Sequence, residues 1–328
     1  MGFRVLTAAE IDRLLPMAEC IAVVESAFVG LEQGELTQPL RTVWMPPEAN
    51  GGMAWMPARR GGSEPLYGMK VLCVIPDNPT RGLDSHQGAV LLSDGVTGQL
   101  RALLDASAIT RIRTAAVSAL ATSLLAREDA RCLAIVGTGV QARSHLESIP
   151  LVRRIELVRV AGRTPERARA FAEDVTGRVP IDVEPCETVE EAVRGADVVV
   201  TATSSREPVL ERDWLEPGAH VNAVGASQPT SRELDTATVA AAALFTDRRE
   251  SLENEAAEYR LALEAGLIEP GHVRAELGEL LTGSAAGRSS DEELTLFRSL
   301  GLAVFDVAAA SHVAAKAEAS DMGVTVDF

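Results

Sequence analysis

A glycine-rich segment in the middle of the chain has the residue types and spacing needed to hold a diphosphate. It reads Gly137-Thr138-Gly139-Val140-Gln141-Ala142, and it follows the apolar run 132–136 and precedes a helical pattern. In such a G-x-G-x-x-A segment the first glycine permits a tight turn, and the second leaves room for a pyrophosphate beside free helix N–H groups. This context predicts that Gly137, Gly139, Val140 and Gln141 bind a nicotinamide dinucleotide. A glycine turn between packed elements is the alternative.

The end of the following predicted strand bears on which dinucleotide is bound. NAD sites usually place an acid there to hold the ribose 2′-hydroxyl. This chain reads Val160-Ala161-Gly162-Arg163-Thr164 and has no acid at that point. Arg163 can pair with a 2′-phosphate and Thr164 can donate a hydrogen bond to it, so NADP(H) is the preferred cofactor and NAD(H) the alternative. The alternative is that Arg163 is a solvated surface arginine with no role in cofactor binding.

The elements that must position this segment follow from the hydrophobic pattern. After residue 130, short apolar strands alternate with helices, which predicts an α/β fold with a Rossmann-type, doubly wound parallel sheet. The first 100 residues instead predict a mixed α+β region. Helices are expected over 7–35 and 107–127, strands over 40–45, 53–56, 66–74 and 87–93, and one or two helices over 293–316.

Length and composition exclude several classes of protein. The 328 residues fit about two domains, and the formal net charge of −16 argues against nucleic-acid and anionic-membrane partners. No apolar run approaches the roughly 18 residues that span a bilayer, and the N-terminus does not resemble a signal peptide, so we expect a cytoplasmic protein. The four cysteines and five histidines are scattered without metal-ligand spacing, so no metal is expected.

Eight segments, taken together and in order, resemble the ornithine cyclodeaminase/mu-crystallin family. The resemblance implies a homodimer whose dimerisation and substrate domain comprises residues 1–120 and 305–328, with a Rossmann domain over 121–304. The segments are LYGMK from Leu66, SHQG from Ser85, RTAA from Arg113, GTGVQAR from Gly137, VGAS from Val224, RELD from Arg232, AELGEL from Ala275 and LFRSLGLA from Leu296.

The resemblance also implies a substrate site. Arg41, Lys70 and Arg113 match the family's basic positions and would cradle the carboxylate of a small amino or imino acid. Guanidinium groups suit this task because they grip a carboxylate with two parallel hydrogen bonds. Lys70 stands among apolar neighbours, where desolvation would lower its pKa toward a proton-transfer role. Taken singly, each of these cations would be interpreted as a surface charge.

Further positions match family contacts. Ser85, Thr114 and Thr203 would contact the nicotinamide side of the cofactor, while Leu300 and Gly301 would line the pocket near the ring. His86 adjoins this set, either as a structural histidine or as a group facing the pocket.

Two departures from the family pattern indicate which reaction is catalysed. Where cyclodeaminases carry a Glu and an Asp, this chain has Ala54 and Ser227. An alanine cannot hold an ammonium group, and a serine is a poor general base. These residues favour reduction of an imine, with Lys70, Arg113 and Ser227 as catalytic residues. Lys70, Ser227 acting through water, or His86 would supply the proton.

The sequence therefore predicts an oxidoreductase that uses NAD(P)H to reduce a cyclic ketimine or 2-imino carboxylate to an amino acid. The first alternative is a cyclodeaminase-like lyase or an alanine dehydrogenase-like amino-acid dehydrogenase that uses NAD. The second alternative is a binding protein that keeps the fold without catalysis.

Overall fold

The computed structural model describes residues 2–327, without the side chain of Pro79. The strands are β1 (Gly2–Leu6), β2 (Leu36–Thr37), β3 (Thr42–Trp44), β4 (Gly52–Arg60), β5 (Leu66–Val74), β6 (His86–Asp94), β7 (Leu100–Asp105), β8 (Cys132–Val136), β9 (Leu157–Ala161), β10 (Asp182–Pro185), β11 (Val198–Thr201), β12 (His220–Ala223), β13 (Ala243–Thr246), β14 (Val273–Glu276), β15 (Thr295–Arg298) and β16 (Val324–Asp327). The helices are α1 (Ala8–Leu14), α2 (Met17–Glu32), α3 (Ala106–Leu125), α4 (Val140–Ser148), α5 (Pro165–Val175), α6 (Val189–Val193), α7 (Thr236–Ala241), α8 (Arg249–Glu255), α9 (Ala257–Glu264), α10 (Leu277–Leu281) and α11 (Ala303–Ala319).

The chain divides into two compact units. Unit 1 comprises the chain up to Arg113 and again from Leu302, and unit 2 comprises Thr114–Gly301. The first division falls inside α3, so one helix contributes residues to both units.

Unit 1 is built on a mixed sheet of eight strands, in the order β16-β1-β7-β6-β5-β4-β2 with β3 paired to β4. Helix α11 packs against β4, β5 and β6. Gly68 permits this approach, because a Cβ atom at that position would lie only 2.8 Å from Val307 Cγ1. The helix is also fixed at its start, where Val304 N donates to Gln38 Oε1 at 2.9 Å, and where the rings of Phe28 and Phe305 lie 4.4 Å apart.

Unit 2 is built on a parallel sheet of eight strands, in the order β10-β9-β8-β11-β12-β15-β13-β14. The chain winds outward from β8 through β9 to β10 and then returns to the other side of β8 with β11 and β12. Ligands of such sheets bind at the carboxyl ends of the strands where this reversal occurs. The predicted fold class, a doubly wound parallel sheet with an α+β region, is confirmed.

Two predicted helical segments were wrong in detail. The helix expected over 7–35 is broken between α1 and α2 at Pro16, which has no N–H to donate and begins the second helix as its N-cap. The segment expected to be helical over 293–316 contains the buried strand β15 before α11. The four residues Thr295–Arg298 suit a buried strand as well as a helix.

Among residues 2–327, no single helix is long and apolar enough to cross a membrane. Only α1 and α2 taken together, bent by 83° at their break, meet that test of length and composition.

Candidate functional site

Lys70 is the central residue of a buried charged cluster in unit 1. It lies on β5 between Met56 of β4 and Val90 of β6, and only 2% of the residue is exposed. Its Nζ atom lies 2.7 Å from Asp306 Oδ2 and donates to Thr110 Oγ1 at 3.4 Å. An ammonium group has three donors, so these two partners leave one N–H direction for a ligand.

Arg113 reaches the same carboxylate from α3. Its Nε atom donates to Asp306 Oδ1 at 2.8 Å, which leaves the outer guanidinium nitrogens for other acceptors. Asp306 is fully buried in the first turn of α11, where the helix dipole favours an anion. Lys70 and Arg113 thus share the carboxylate of Asp306. We call these three residues of unit 1 the buried cluster.

The charge states in the buried cluster follow from burial and from the three charges. Burial lowers the pKa of Lys70 to about 7; the charge of Asp306 opposes this shift, whereas those of Arg113 and Arg41 add to it. Burial alone would raise the pKa of Asp306, but the nearby Arg113 and Lys70 outweigh it and hold that pKa below its ordinary value. Asp306 is thus an anion, while Lys70 can gain and lose a proton near neutrality.

Arg41 and the segment Ser85-His86 lie near the cluster within unit 1. Arg41 is half-buried in the loop between β2 and β3, and its charge acts on Lys70. Ser85 is half-buried, and its hydroxyl lies 3.0 Å from His86 Nδ1. Although His86 is exposed as a residue, desolvation of its ring and the charges of Lys70 and Arg113 lower its pKa, so the imidazole is neutral at pH 7.

Lysine usage sets Lys70 apart from the other cations. Of the 31 basic residues, only Lys70 and Lys316 are lysines. Lys316 is partly exposed and pairs with Glu19 at the surface. Because an arginine does not lose its proton in proteins while a buried lysine does, a lysine at position 70 suits proton transfer better than simple charge.

The predicted dinucleotide segment of unit 2 has the geometry of an anion site. Gly137 follows β8 with φ +127°, and a Cβ atom there would lie 2.5 Å from Ala202 O. Gly139 is the N-cap of α4, has no side-chain cap, and has open space where its Cβ atom would be. Val140 is exposed on the first turn of α4. Free N–H groups beside an unobstructed glycine fit a pyrophosphate.

Several buried polar side-chain atoms of unit 2 have no hydrogen-bond partner within residues 2–327. Two of them lie near the predicted dinucleotide segment or match a predicted cofactor contact, namely Gln141 Oε1 on α4 and Thr114 Oγ1 on α3. Unpaired buried polar atoms are rare and call for an explanation, and a bound cofactor would provide one. Gln141 also accepts a hydrogen bond from His145 at its backbone oxygen, since His145 Nδ1 lies 2.7 Å away. The residues present therefore fit a dinucleotide.

The remaining predicted residues of unit 2 lie at strand ends. Arg163 and Thr164 are exposed after β9, with Arg163 Nη2 3.5 Å from Ser204 Oγ. Thr203 follows β11, and the half-buried Ser227 follows β12. The backbone N–H groups of Leu300 and Gly301 donate to Asp247 Oδ2 at 2.8 and 2.7 Å.

Sequence reasoning missed the three buried carboxylates that hold these segments, namely Asp306, Asp247 and Glu233. The available signals were an isolated acid within an apolar pattern, as in Ala303-Val304-Phe305-Asp306-Val307, and for Glu233 the family segment RELD. Among residues 2–327, no group of three or more His, Cys, Asp and Glu side chains is arranged to hold a metal ion.

Comparison with known proteins agrees with this architecture. The model of the ornithine cyclodeaminase/mu-crystallin family matches residues 3–321. Ketimine reductase mu-crystallin from Mus musculus is 39% identical over 312 residues, covering 94% of this chain and 95% of that protein.

Two solved structures are similar over nearly their whole length. One is the Delta(1)-pyrroline-2-carboxylate reductase of Thermococcus litoralis in complex with NADH and L-proline, with a TM-score of 0.96, 36% identity, and coverage of 99% of this chain and 100% of that chain. The other is an archaeal alanine dehydrogenase dimer with bound NAD, with a TM-score of 0.93, 33% identity, and full coverage of both chains. The chain belongs to the ornithine cyclodeaminase/mu-crystallin family.

Proposed function

We propose that this protein reduces the C=N bond of a cyclic ketimine or another 2-imino carboxylate with NAD(P)H and so forms an amino acid. The observation that carries the proposal is the buried cluster, in which Lys70 and Arg113 share the carboxylate of Asp306. The relatives act in this class of reaction: one is named a ketimine reductase and another a pyrroline-2-carboxylate reductase.

Arg113 and Arg41 hold the substrate carboxylate in this proposal. Asp306 engages only Nε of Arg113, so the outer edge of the guanidinium can form two parallel hydrogen bonds with a second carboxylate. Arg41 adds a second positive charge close enough to act on Lys70. Such a clamp fixes the position of the imine carbon, and orientation of this kind accounts for a large part of catalysis.

Lys70 supplies the proton, and it is our choice among the three candidate donors. Bound NAD(P)H supplies the hydride to carbon, and the nitrogen must gain one proton for the C=N bond to become CH–NH. With a pKa of about 7, Lys70 is partly protonated at neutral pH and can donate. His86 is already neutral there, because its pKa is lowered, and Ser227 has no accessible pKa. Ser227 then serves to orient a water or the imine nitrogen.

The residues at positions 54 and 227 disfavour deamination. Ala54 is buried on β4, and Ser227 follows β12, so neither place offers a carboxylate to an amine leaving group. Simple binding without catalysis does not need a lysine whose pKa is near neutrality. We therefore favour the reductase over the lyase and over a non-catalytic binding protein.

For the cofactor, we propose that NADP(H) is preferred over NAD(H). Arg163 and Thr164 stand where an acid would otherwise hold the 2′-hydroxyl, and both are exposed and available to a phosphate. Gly137, Gly139, Val140 and Gln141 would hold the pyrophosphate; Ser85, Thr114, Thr203 and Gly301 would hold the nicotinamide half, and Leu300 would line the substrate pocket.

We also propose a homodimer in the cytoplasm, with unit 1 as the dimerisation and substrate domain and unit 2 as the cofactor domain. Two observations support the dimer. The similar alanine dehydrogenase is a dimer, and unit 1 exposes Val43, Trp44, Met45 and Tyr67. Val43, Trp44 and Met45 are consecutive, and contiguous exposed apolar groups are typical of an association surface.

The decisive experiment follows cofactor oxidation and ammonia release in parallel. Pyrroline-2-carboxylate with NADPH should give proline and one equivalent of NADP⁺, whereas ornithine should release no ammonia. Ammonia release from ornithine without net change of the cofactor would refute the proposal. Sedimentation at assay concentration tests the dimer separately.

A further inference from the structure

Glu233 is a buried carboxylate of unit 2 that the proposed chemistry does not use. Only 1% of the residue is exposed, and its carboxylate accepts three hydrogen bonds. Thr203 N donates to Oε1 at 2.6 Å, while Gly225 N and Thr201 Oγ1 donate to Oε2 at 2.7 and 2.9 Å. These donors belong to two different strand ends, since Thr201 closes β11 and Gly225 follows β12.

The main chain of Glu233 is itself fixed. Its carbonyl oxygen accepts from Val209 N at 2.8 Å and from Leu210 N at 3.0 Å, and Leu234 forms a bridge with Leu210. The position of the carboxylate relative to the ends of β11 and β12 is therefore fixed. Burial raises its pKa, and the hydrogen bonds from Thr203 oppose that shift without cancelling it, so the contacts offset part of the cost of burying this charge.

The strand ends that Glu233 joins are packed backbone to backbone. A Cβ atom at Gly225 would overlap Thr203 and lie 2.5 Å from Glu233 Oε1, and a Cβ atom at Gly137 would lie 2.5 Å from Ala202 O. Gly137, Ala202, Thr203 and Gly225 thus form a continuous edge at the ends of β8, β11 and β12, which we call the strand-end rim. Small shifts in one segment of this rim must displace its neighbours.

In a doubly wound sheet, the strands on the two sides of β8 would face different halves of a bound dinucleotide. Arg163 follows β9, on one side of β8, where the adenosine ribose of such cofactors lies. The ends of β11 and β12, on the other side of β8, therefore face the nicotinamide half. Within residues 2–327, the hydrogen bonds to the Glu233 carboxylate come from segments on this second side.

We infer that Glu233 is a positioning residue for the nicotinamide half of the cofactor: it fixes the strand-end rim at Thr203 and Gly225 without touching the ligand. The inference rests on the proposed use of a nicotinamide dinucleotide. If the inference is right, loss of Glu233 weakens binding of the nicotinamide half but not of the adenosine half. A residue that only stabilises the fold would affect both halves.

Glu233→Gln tests the inference because a glutamine side chain cannot accept hydrogen bonds from both Thr203 N–H and Gly225 N–H. Each carboxylate oxygen accepts from a backbone N–H, so the amide NH₂ must face either Thr203 N–H or Gly225 N–H, and one loop loses its acceptor. We expect the Kd for NADPH, measured by titration calorimetry on the full chain, to rise about tenfold, equal to about 1.4 kcal/mol. The Kd for adenosine 2′,5′-bisphosphate, which lacks the nicotinamide half, should change less than twofold.

Asp235→Ala provides the matched control. Asp235 lies two residues away and caps α7 by accepting from Thr238 N at 2.8 Å, so its loss weakens the same region of unit 2 without reaching the rim. Both dissociation constants should stay at their wild-type values in this control. Gly225→Ala, which pushes Thr203 away from the other side, should reproduce the selective loss if Glu233→Gln does not fold.

The outcomes separate the inference from the proposed function. If the wild-type chain binds neither NADPH nor NADH, the proposed function fails. If the wild-type chain binds NADPH but Glu233→Gln and Gly225→Ala weaken both ligands equally, or neither, then Glu233 supports the fold alone and the inference is overturned.

Discussion

In unit 1 the candidate ligand-holding groups are charged side chains, whereas in unit 2 they are mainly backbone groups at the ends of parallel strands. Lys70, Arg113 and Asp306 come from β5, α3 and α11 and meet through buried ion pairs. Gly137, Thr203 and Gly225 follow successive strands of one sheet and touch through the main chain. The first arrangement can be tuned by charge and pH, and the second by space, so substitutions should affect them differently.

The largest expected effect comes from removing the proton donor of unit 1. Lys70→Met keeps the length of the side chain but removes the ammonium group, so kcat/KM for pyrroline-2-carboxylate should fall by about 10³-fold, within the range of general acid catalysis. The Kd for NADPH should not change, because Lys70 is not among the residues assigned to the cofactor. Steady-state kinetics and calorimetry measure the two quantities.

Lys316→Met is the natural control for that variant, because Lys316 is the other lysine of the chain and pairs with Glu19 at the surface. It should retain wild-type kinetics. An unchanged kcat/KM in Lys70→Met would mean that Lys70 is not the proton donor, and the charged cluster of unit 1 would lose its assigned role in catalysis.

The next effect concerns the carboxylate that organises the buried cluster. Asp306→Asn should lower kcat/KM by about 10²-fold, since the two cations lose the anion that holds them. It should also move the pH profile. In the wild type, imine reduction should decline as pH rises through about 7, where Lys70 loses its proton. The charge of Asp306 raises the pKa of Lys70, so without it the decline should occur at lower pH.

The measurement is kcat/KM for imine reduction as a function of pH in the wild type and in Asp306→Asn. Glu19→Gln, which removes an anion outside the buried cluster, is the control. A profile that moves to higher pH in Asp306→Asn, or does not move, would contradict the role assigned to Lys70.

The difference between the two units also explains what could be predicted from the sequence. The dinucleotide segment is readable because all its requirements fall within a few consecutive residues, from β8 to the start of α4. Lys70 and Arg113 were found through local family motifs. Asp306 was not, because its partner Arg113 lies 193 positions away and only the folded chain brings α11 against β5.

Local structure shows the same limit. The bounds of β5 and β8 match the predicted strands because both are mainly apolar and flanked by turn residues. By contrast, β15 was predicted as helix because four apolar and polar residues alone do not distinguish the two states. Pairing with β12 and β13, which the sequence does not display, decides its conformation.

A smaller effect is expected from the glycine that admits α11 to the sheet. Gly68→Ala would place a methyl group against Val307, moving Asp306 relative to Lys70. We expect a loss of about 1–3 kcal/mol in the free energy of unfolding, as for other overpacked sites, and a decrease in kcat/KM of about tenfold. Urea unfolding and kinetics measure these.

Combining Gly68→Ala with Val307→Ala should restore most of the activity, because the second change vacates the space that the first one fills. If the double variant is as slow as Gly68→Ala, then spacing between α11 and β5 does not control the buried cluster. That result would also weaken the contrast between charge in unit 1 and space in unit 2.

The smallest effect tests the side chain on which cofactor preference depends in unit 2. Arg163→Ala should raise the Kd for NADPH about tenfold, because one charge-assisted pair with the 2′-phosphate is lost, while the Kd for NADH should remain within twofold. Arg154→Ala, at a surface pair with Glu156, is the matched control and should alter neither constant. An equal loss for both cofactors would mean that Arg163 supports its loop rather than reading the phosphate. In that case no charged side chain of unit 2 would be assigned to the ligand, and the contrast with the charged cluster of unit 1 would be complete.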